Sequence, residues 1–230
     1  ILNHEHYQGG AYKMPMHKTK IKYRFSSADY PDVRILIPDW YNNVIRIESQ
    51  KRNSLEKLFG HILEQFLEYN NEALNIIAHT SEQHNALTPI ARFNEDGEYS
   101  LDIILRNNRT DEAHPDGIFH VSPDLHNIKK ESIGLIEAMG VFILPGRLST
   151  EAEGIKDFLV GKAKFKELSD PNHPLIAHTG MIAQLINDCG TNLSDEDAGE
   201  AIENYINKAC ERMLKCVALF KEDDKGNKAF

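Results

Sequence analysis

The residues best suited to chemistry stand at the start of the chain, Ile1-Leu2-Asn3-His4-Glu5-His6-Tyr7-Gln8-Gly9-Gly10. His4, His6 and Gln8 alternate with Glu5 and Tyr7. In an extended strand, side chains at i, i+2 and i+4 share one face, so two imidazoles and an amide would project side by side. The two glycines let a ligand approach bare backbone N–H groups. An imidazole that attacks phosphorus needs this set: a neighbour to orient it and donors to hold the phosphate oxygens. A His-x-His pair is equally half of a metal site, and two solvated histidines need no role at all. Gln8 and the glycines tilt the balance towards phosphate. An amide is a poor zinc ligand but a good partner for a phosphate oxygen, and glycine-rich backbone suits an anion.

Other polar groups are less specific. Arg106-Asn107-Asn108-Arg109 leaves the end of a strand-like run, where guanidiniums and amides suit phosphate or sugar hydroxyls. Spacing alone reads the same residues as a solvated turn. His114-Pro115-Asp116-Gly117 is a turn by composition. His120 and His126 flank Ser122-Pro123-Asp124 and read as hydrogen-bonded loop residues, with metal or sugar contact as the alternative. Cys189, Cys210 and Cys216 are odd in number and form no Cys-x-x-Cys. Disulfides and a zinc knuckle are therefore not expected, a reducing cytoplasm fits, and each thiol is expected to pack on a helix.

The 230 residues, 41% hydrophobic and 27% charged, suit one large or two small globular domains. The net charge of −9 argues against nucleic acid as a partner, so any phosphate site must be built locally. No apolar run approaches the ~20 residues of a membrane-spanning helix, and no membrane partner is expected.

Periodicity supplies the elements that must position these groups. Residues 1–50 read as β, with strands at Lys20–Phe25, Val33–Ile37 and Asn43–Glu48 and a hairpin loop at Pro38–Asn42 that carries Trp40 as a packing residue. Asn53-x-x-Glu56 reads as a capping box that opens a helix with Leu55, Leu58, Phe59, Ile62, Leu63, Phe66 and Leu67 on one face. His61 lies off that stripe. Ala73–Ala78 reads as a strand, and Thr88–Phe93 and Tyr99–Leu105 as a pair joined through Asp96-Gly97. From Lys130 onward helix dominates. The first helix carries Ile133, Ile136, Glu137 and Gly140 and ends near Pro145; a second opens at Ser149; a third spans Pro174–Cys189. A long fourth is capped by Ser194 and buries Ala198, Ile202, Tyr205, Ile206, Met213 and Val217. Glu222–Gly226 reads as a solvated turn. Strands, one long helix, then strands again predict an α+β fold, an antiparallel sheet with helices against one face.

His4-x-His6-x-Gln8 resembles the signature of the galactose-1-phosphate uridylyltransferase branch of the histidine-triad superfamily; ordinary histidine-triad hydrolases carry a third His where this chain has Gln8. Longer stretches resemble the bacterial class II form typical of Gram-positive organisms. They are His4–Gly10, Thr88-Pro-Ile-Ala-Arg92, Leu105-Arg-Asn-Asn-Arg-Thr110, His114-Pro-Asp-Gly-Ile-Phe-His120 and Ile128-Lys-Lys-Glu-Ser-Ile-Gly-Leu-Ile-Glu137. The resemblance runs from Ile1 to Phe230. It implies one histidine-triad-like domain over residues 1–230, with a helical C-terminal part. Ile1 falls within what reads as a strand, so the chain is expected to be the C-terminal portion of a longer protein whose N-terminal half holds the uridine contacts.

The implied activity is exchange of a uridylyl group between UDP-glucose and galactose 1-phosphate, in the Leloir pathway of galactose metabolism, in the cytoplasm, by a homodimer. The implied nucleophile is His6, which would form a uridylyl-histidine intermediate. Gln8 would bond the transferred phosphoryl group, and His4 would support the pair. Gly9, Gly10, Arg106, Asn108, Arg109 and Glu137 would contact substrate. Class I relatives hold zinc and iron, but here Glu5 replaces the expected Pro, Lys18–Lys22 lacks the expected Glu, and only His120 falls near an expected His; no metal ligand is assigned. A histidine-triad nucleotide hydrolase or phosphorylase, or an inactive fragment, are the alternatives.

Overall fold

β-Branched and aromatic residues dominate the early apolar stretches. In the computed structural model, which describes residues 7–230, they pair into a single antiparallel sheet. Its strands are β1 (Ile21–Phe25), β2 (Arg34–Pro38), β3 (Val44–Ser49), β4 (Asn85–Phe93) and β5 (Tyr99–Asn107), in the order β1-β2-β3-β5-β4. The β4–β5 hairpin closes through Asn94–Gly97. There the Asn94 side-chain oxygen accepts from the N–H groups of Asp96 and Glu98, and Gly97 takes φ +78°, which L side chains rarely adopt.

Side-chain alternation gives the sheet two unlike faces. One carries Ile47, Leu101, Ile103 and Leu105 and buries them against Leu55, Leu58 and Phe66 of helix α2 (Arg52–Leu67). The other carries Val44, Arg46 and Glu48 of β3, Ser100, Asp102, Ile104 and Arg106 of β5, and Thr88, Ile90 and Arg92 of β4. Two short helices cover its middle, α1 (Pro15–Lys18) and α3 (Leu135–Ala138); Met16, Ala138 and Met139 pack there on Val44 and Ile104. Helices α4 (Arg147–Leu159), α5 (Thr179–Cys189) and α6 (Asp195–Val217) form a second core around Ile155, Phe158, Leu159, Met181, Ile182, Ile202 and Met213. The architecture is α+β, as the element pattern predicts, but helices lie against both faces of the sheet and not one.

Several local expectations change. Residues 7–14 are not in a strand, and Pro15 starts a helical turn, its fixed φ being suited to the first helical position. The cap of α2 is Lys51, without a side-chain bond, and Glu56 pairs with Arg52 instead of closing a capping box on Asn53. Ala73–Ala78 is not a strand: Glu72–Leu74 form a 3-10 turn, and Asn75 takes φ +60°. The first C-terminal helix is only four residues long, and Gly140 lies beyond it. The next begins at Arg147, two residues before Ser149. Glu222–Lys225 are solvated, as expected, but the segment also starts a helix: Asp223 caps α7 (Asp224–Ala229), Gly226 is buried, and Phe230 stacks on Phe220 at 5.3 Å. Cys210 packs inside, with burial pushing its thiol pKa up to about 11, whereas Cys189 is exposed.

Gly140 fastens the cover to the sheet. Its φ is +98°, and a Cβ there would stand 2.9 Å from Pro15 and 2.9 Å from Trp40. Around it, Met16 N–H donates to Met139 O at 3.1 Å and Trp40 Nε1 donates to Ala138 O at 2.9 Å. Gly140→Ala should therefore cost about 2–3 kcal/mol, the sum of a left-handed backbone and an overpacked contact. Urea unfolding of the variant against the parent measures it.

Candidate functional site

Asp102 sets the chemistry of the polar face. It sits in the middle of β5 and is fully buried, so its carboxylate must be neutralised. The antiparallel register places Arg46 of β3 directly opposite. Arg46 Nε and Nη2 donate to the two Asp102 oxygens at 2.5 and 3.1 Å, and Nη2 also donates to Met16 O at 3.2 Å. Arg92 of β4 brings its Nε to 3.5 Å of Asp102 Oδ2. His17 on α1 lies above, its Nε2 3.8 Å from the same oxygen and its side chain 10% exposed. The buried Nε atoms of Arg92 and His17 have no hydrogen-bond partner among the described residues.

These residues form the floor of a cleft of about 680 Å³. Gln8, Gly9, Gly10 and the chain to Met14 form one wall, Asn94–Asp96 another, and Leu135, Ile136 and Met139 a third. Lys13 and Glu95 pair at 2.5 Å on its exposed edge. Burial works against the Glu48 carboxylate, but bonds from Arg34, Asn94 and Ser100 outweigh it and lower the pKa, so Glu48 stays ionised. Burial and then the Arg92 charge lower the pKa of His17, against the pull of Asp102, so His17 is neutral at pH 7.

A second cleft of about 190 Å³ opens on the same face. Arg106, Asn108, His120 and Ser132 line it together with Asn42, whose buried side-chain oxygen has no partner among the described residues. Met16, Val44, Ile104, Ala138 and Met139 lie between the two as an apolar septum, and Leu135 lines both.

The sequence-derived site residues divide between these places. His4 and His6 lie outside the described residues. Gln8, Gly9 and Gly10 line the larger cleft; neither glycine takes a positive φ, and a Cβ on either would meet nothing within 4 Å. Arg106 and Asn108 line the smaller one. Asn107, between them, points the other way and donates to Asn85 Oδ1 at 2.7 Å. Arg109 lines neither cleft and donates to Asn75 O at 2.9 Å. Glu137 is 4% exposed; its carboxylate accepts from Gly134 N at 2.8 Å and Ile143 N at 3.0 Å, and Lys129 Nζ stands 3.2 Å away. His120 contacts Ser132 Oγ and His126 contacts Val121 O, both at 3.2 Å. Among the described residues no group of three or more His, Cys, Asp or Glu side chains is placed to hold a metal, so the zinc and iron of class I relatives find no ligand set there.

His17, Arg46, Arg92 and Asp102 were not legible as a group in the sequence. The one available signal was Arg46 and Asp102 themselves, each flanked by aliphatic residues inside a strand otherwise fit for burial.

A pH dependence follows. A histidine whose folded pKa lies below its ordinary value of about 6.5 leaves the unfolded chain holding more protons, so stability rises with pH through that window. The His17 contribution is complete above about 6.5 and fades as pH falls below it. In urea titrations between pH 5 and 8, the parent should lose more stability on acidification than His17→Gln, and the two curves should run parallel above neutrality.

No family model and no solved structure matches the chain. Curated proteins do. The galactose-1-phosphate uridylyltransferase of Caldanaerobacter subterraneus subsp. tengcongensis is 44% identical over 236 residues, covering 100% of this chain and 46% of that protein. Those of Fusobacterium nucleatum subsp. nucleatum and Lactococcus lactis subsp. lactis are 40% and 37% identical, again across 100% of this chain. The chain spans about half the length of these relatives. Along its whole length the chain is thus similar to about half the length of proteins that bear the name galactose-1-phosphate uridylyltransferase.

Proposed function

We propose that this chain carries the nucleophile and part of the substrate site of a uridylyltransferase, the C-terminal histidine-triad-like portion of a longer enzyme. It would exchange a uridylyl group between UDP-glucose and galactose 1-phosphate. The observation that carries this reading is the 44% identity along the whole chain to a relative of that name. The cleft gives it a physical setting, because Gln8, Gly9 and Gly10 line it together with Arg46 and Arg92 in an acidic protein.

The chemistry is covalent catalysis in two displacements. An imidazole nitrogen of His6 bonds to the α-phosphorus of UDP-glucose as the bond to the bridging oxygen breaks, and glucose 1-phosphate leaves. A phosphate oxygen of galactose 1-phosphate then attacks the same phosphorus, the P–N bond breaks, and UDP-galactose leaves. His6 must be neutral to attack, which its ordinary pKa of about 6.5 permits at pH 7. Gln8 bonds the phosphoryl oxygens without offering a base to water, which favours transfer over hydrolysis. His4 supports the pair. Arg106 and Asn108 contact the sugar phosphate from the smaller cleft, and Arg109 adds charge beyond it. The resemblance gives Glu137 to the hexose hydroxyls; its carboxylate would exchange one of its internal donors for a hydroxyl. A cytoplasmic homodimer completes the reading.

Three measurements test it. With UDP-glucose labelled in the uridylyl group, the denatured protein should retain acid-labile label on His6, with one glucose 1-phosphate released per label. An unlabelled parent, or a His6→Ala variant with full exchange, would sink the proposal. Gln8→His should raise the ratio of UMP release to transfer; an unchanged ratio removes the role given to the amide. Gly10→Ala should alter stability by less than about 0.5 kcal/mol, as its Cβ meets nothing, yet lower kcat/KM by about tenfold by holding the phosphate off the backbone.

A further inference from the structure

The Asp102 cluster beneath the larger cleft holds more described cations than anions. Two guanidiniums, Arg46 and Arg92, share one carboxylate, Asp102, while His17 is neutral. Arg46 takes up both Asp102 oxygens and adds a bond to Met16 O, so that pair is closed on itself. Arg92 reaches Asp102 only at 3.5 Å, and its buried Nε has no hydrogen-bond partner among the described residues. His17 Nε2, on a side chain nine-tenths buried, is also unpartnered among the described residues.

Among the described residues, the other acids of the cleft have partners of their own or stand exposed. Glu48 is held by Arg34, Asn94 and Ser100. Glu95 is held by Lys13, and Asp96 is exposed in the β4–β5 turn. Buried polar groups ordinarily find partners, and a surplus buried charge is costly. The group that would satisfy both nitrogens and the charge at once is an anion with several acceptor oxygens.

We propose that Arg92 and His17 bind a phosphoryl oxyanion on the floor of the cleft lined by Gln8, Gly9 and Gly10. Arg92 donates from its unpartnered guanidinium edge, and His17 donates from Nε2. Arg46 and Asp102 form the closed pair that keeps Arg92 in place. The site rests on and deepens the transfer reading, since it names two residues that would hold the charge of the transferred or departing phosphate. Both are binding residues, and no proton transfer is assigned to them.

Inorganic pyrophosphate is the probe, titrated into the 230-residue chain by calorimetry and thermal unfolding, with chloride at equal ionic strength as control. The parent should bind pyrophosphate and unfold at higher temperature with it. Arg92→Gln and His17→Gln should each weaken binding about tenfold or more, as loss of a charge-assisted bond does. Arg92→Lys should restore part of it. Without pyrophosphate, Arg92→Gln should be at least as stable as the parent, because it removes the surplus charge and leaves Arg46 and Asp102 matched. A purely structural cluster predicts the opposite: Arg92→Gln less stable, and pyrophosphate bound equally by all variants or by none. Either of those results overturns the proposal. Pyrophosphate bound through Arg92 with His6 never labelled would remove the transfer reading and keep this one. Labelled His6 with binding indifferent to Arg92 and His17 would remove this one alone.

Discussion

A carboxylate with no access to water, in the middle of the interior strand β5, governs the rest of the polar face. Asp102 can stay ionised only with a cation against it, and the β3–β5 register supplies Arg46. The bidentate pair then fixes Met16 through its carbonyl, and Met16 fixes α1 and with it His17. Buried ion pairs seldom add stability over well-packed aliphatic residues. The opposite face of the same two strands shows the alternative, with Ile47 and Ile103 one residue away from Arg46 and Asp102. A sheet built for stability alone would repeat that solution on both sides, and the ionic set lies on the face that carries the proposed site.

The two faces divide the work. The aliphatic one, closed by α2, holds the sheet rigid. The polar one is covered only along a septum of Met16, Val44, Ile104, Ala138 and Met139, and clefts are left on either side. The septum depends on two narrow fits. Gly140 lets Pro15 and Trp40 approach closer than any side chain would allow. The buried Lys129–Glu137 pair, with Glu137 bonding Gly134 and Ile143, holds the turn that presents Leu135 to both clefts. Neither device lines the larger cleft, yet the Gly140 contact sets how closely Pro15 of α1 approaches Trp40.

What the sequence made legible follows from how local each signal is. The β4–β5 hairpin was plain because Asp96-Gly97 specifies a turn within two residues, and α6 because Ser194 and a long apolar stripe agree. The strand expected at Ala73–Ala78 failed because its pairing would have had to come from a distant partner; instead Asn85 and Asn107 bind the backbone of that segment and its neighbours. The extended reading of the first ten residues rested on alternation alone, and Gln8 stands outside any strand. Within the site, Gln8, Gly9 and Gly10 were found because they are contiguous. Arg46, Arg92, Asp102 and His17 come from four elements, and only the strand register makes them neighbours. Arg106-Asn107-Asn108-Arg109 read as one polar block, and β alternation split it: Arg106 and Asn108 face a cleft, whereas Asn107 serves the core.

The charge distribution explains how an acidic chain can suit phosphate. The net −9 sets a long-range field that repels polyanions. At physiological ionic strength that field decays over about 8 Å. On the proposed reading, a small phosphate that enters the cleft meets instead the partly buried Arg92 guanidinium, in surroundings that screen it less than water does. Two length scales thus act with opposite sign. A long polyanion cannot bring its charges to the cleft floor without placing most of them against the acidic surface, whereas a compact phosphate ester can lie wholly within the inner field. Discrimination between them comes from the depth at which the cation is buried, which is the same burial that requires Asp102 and Arg46 beside it.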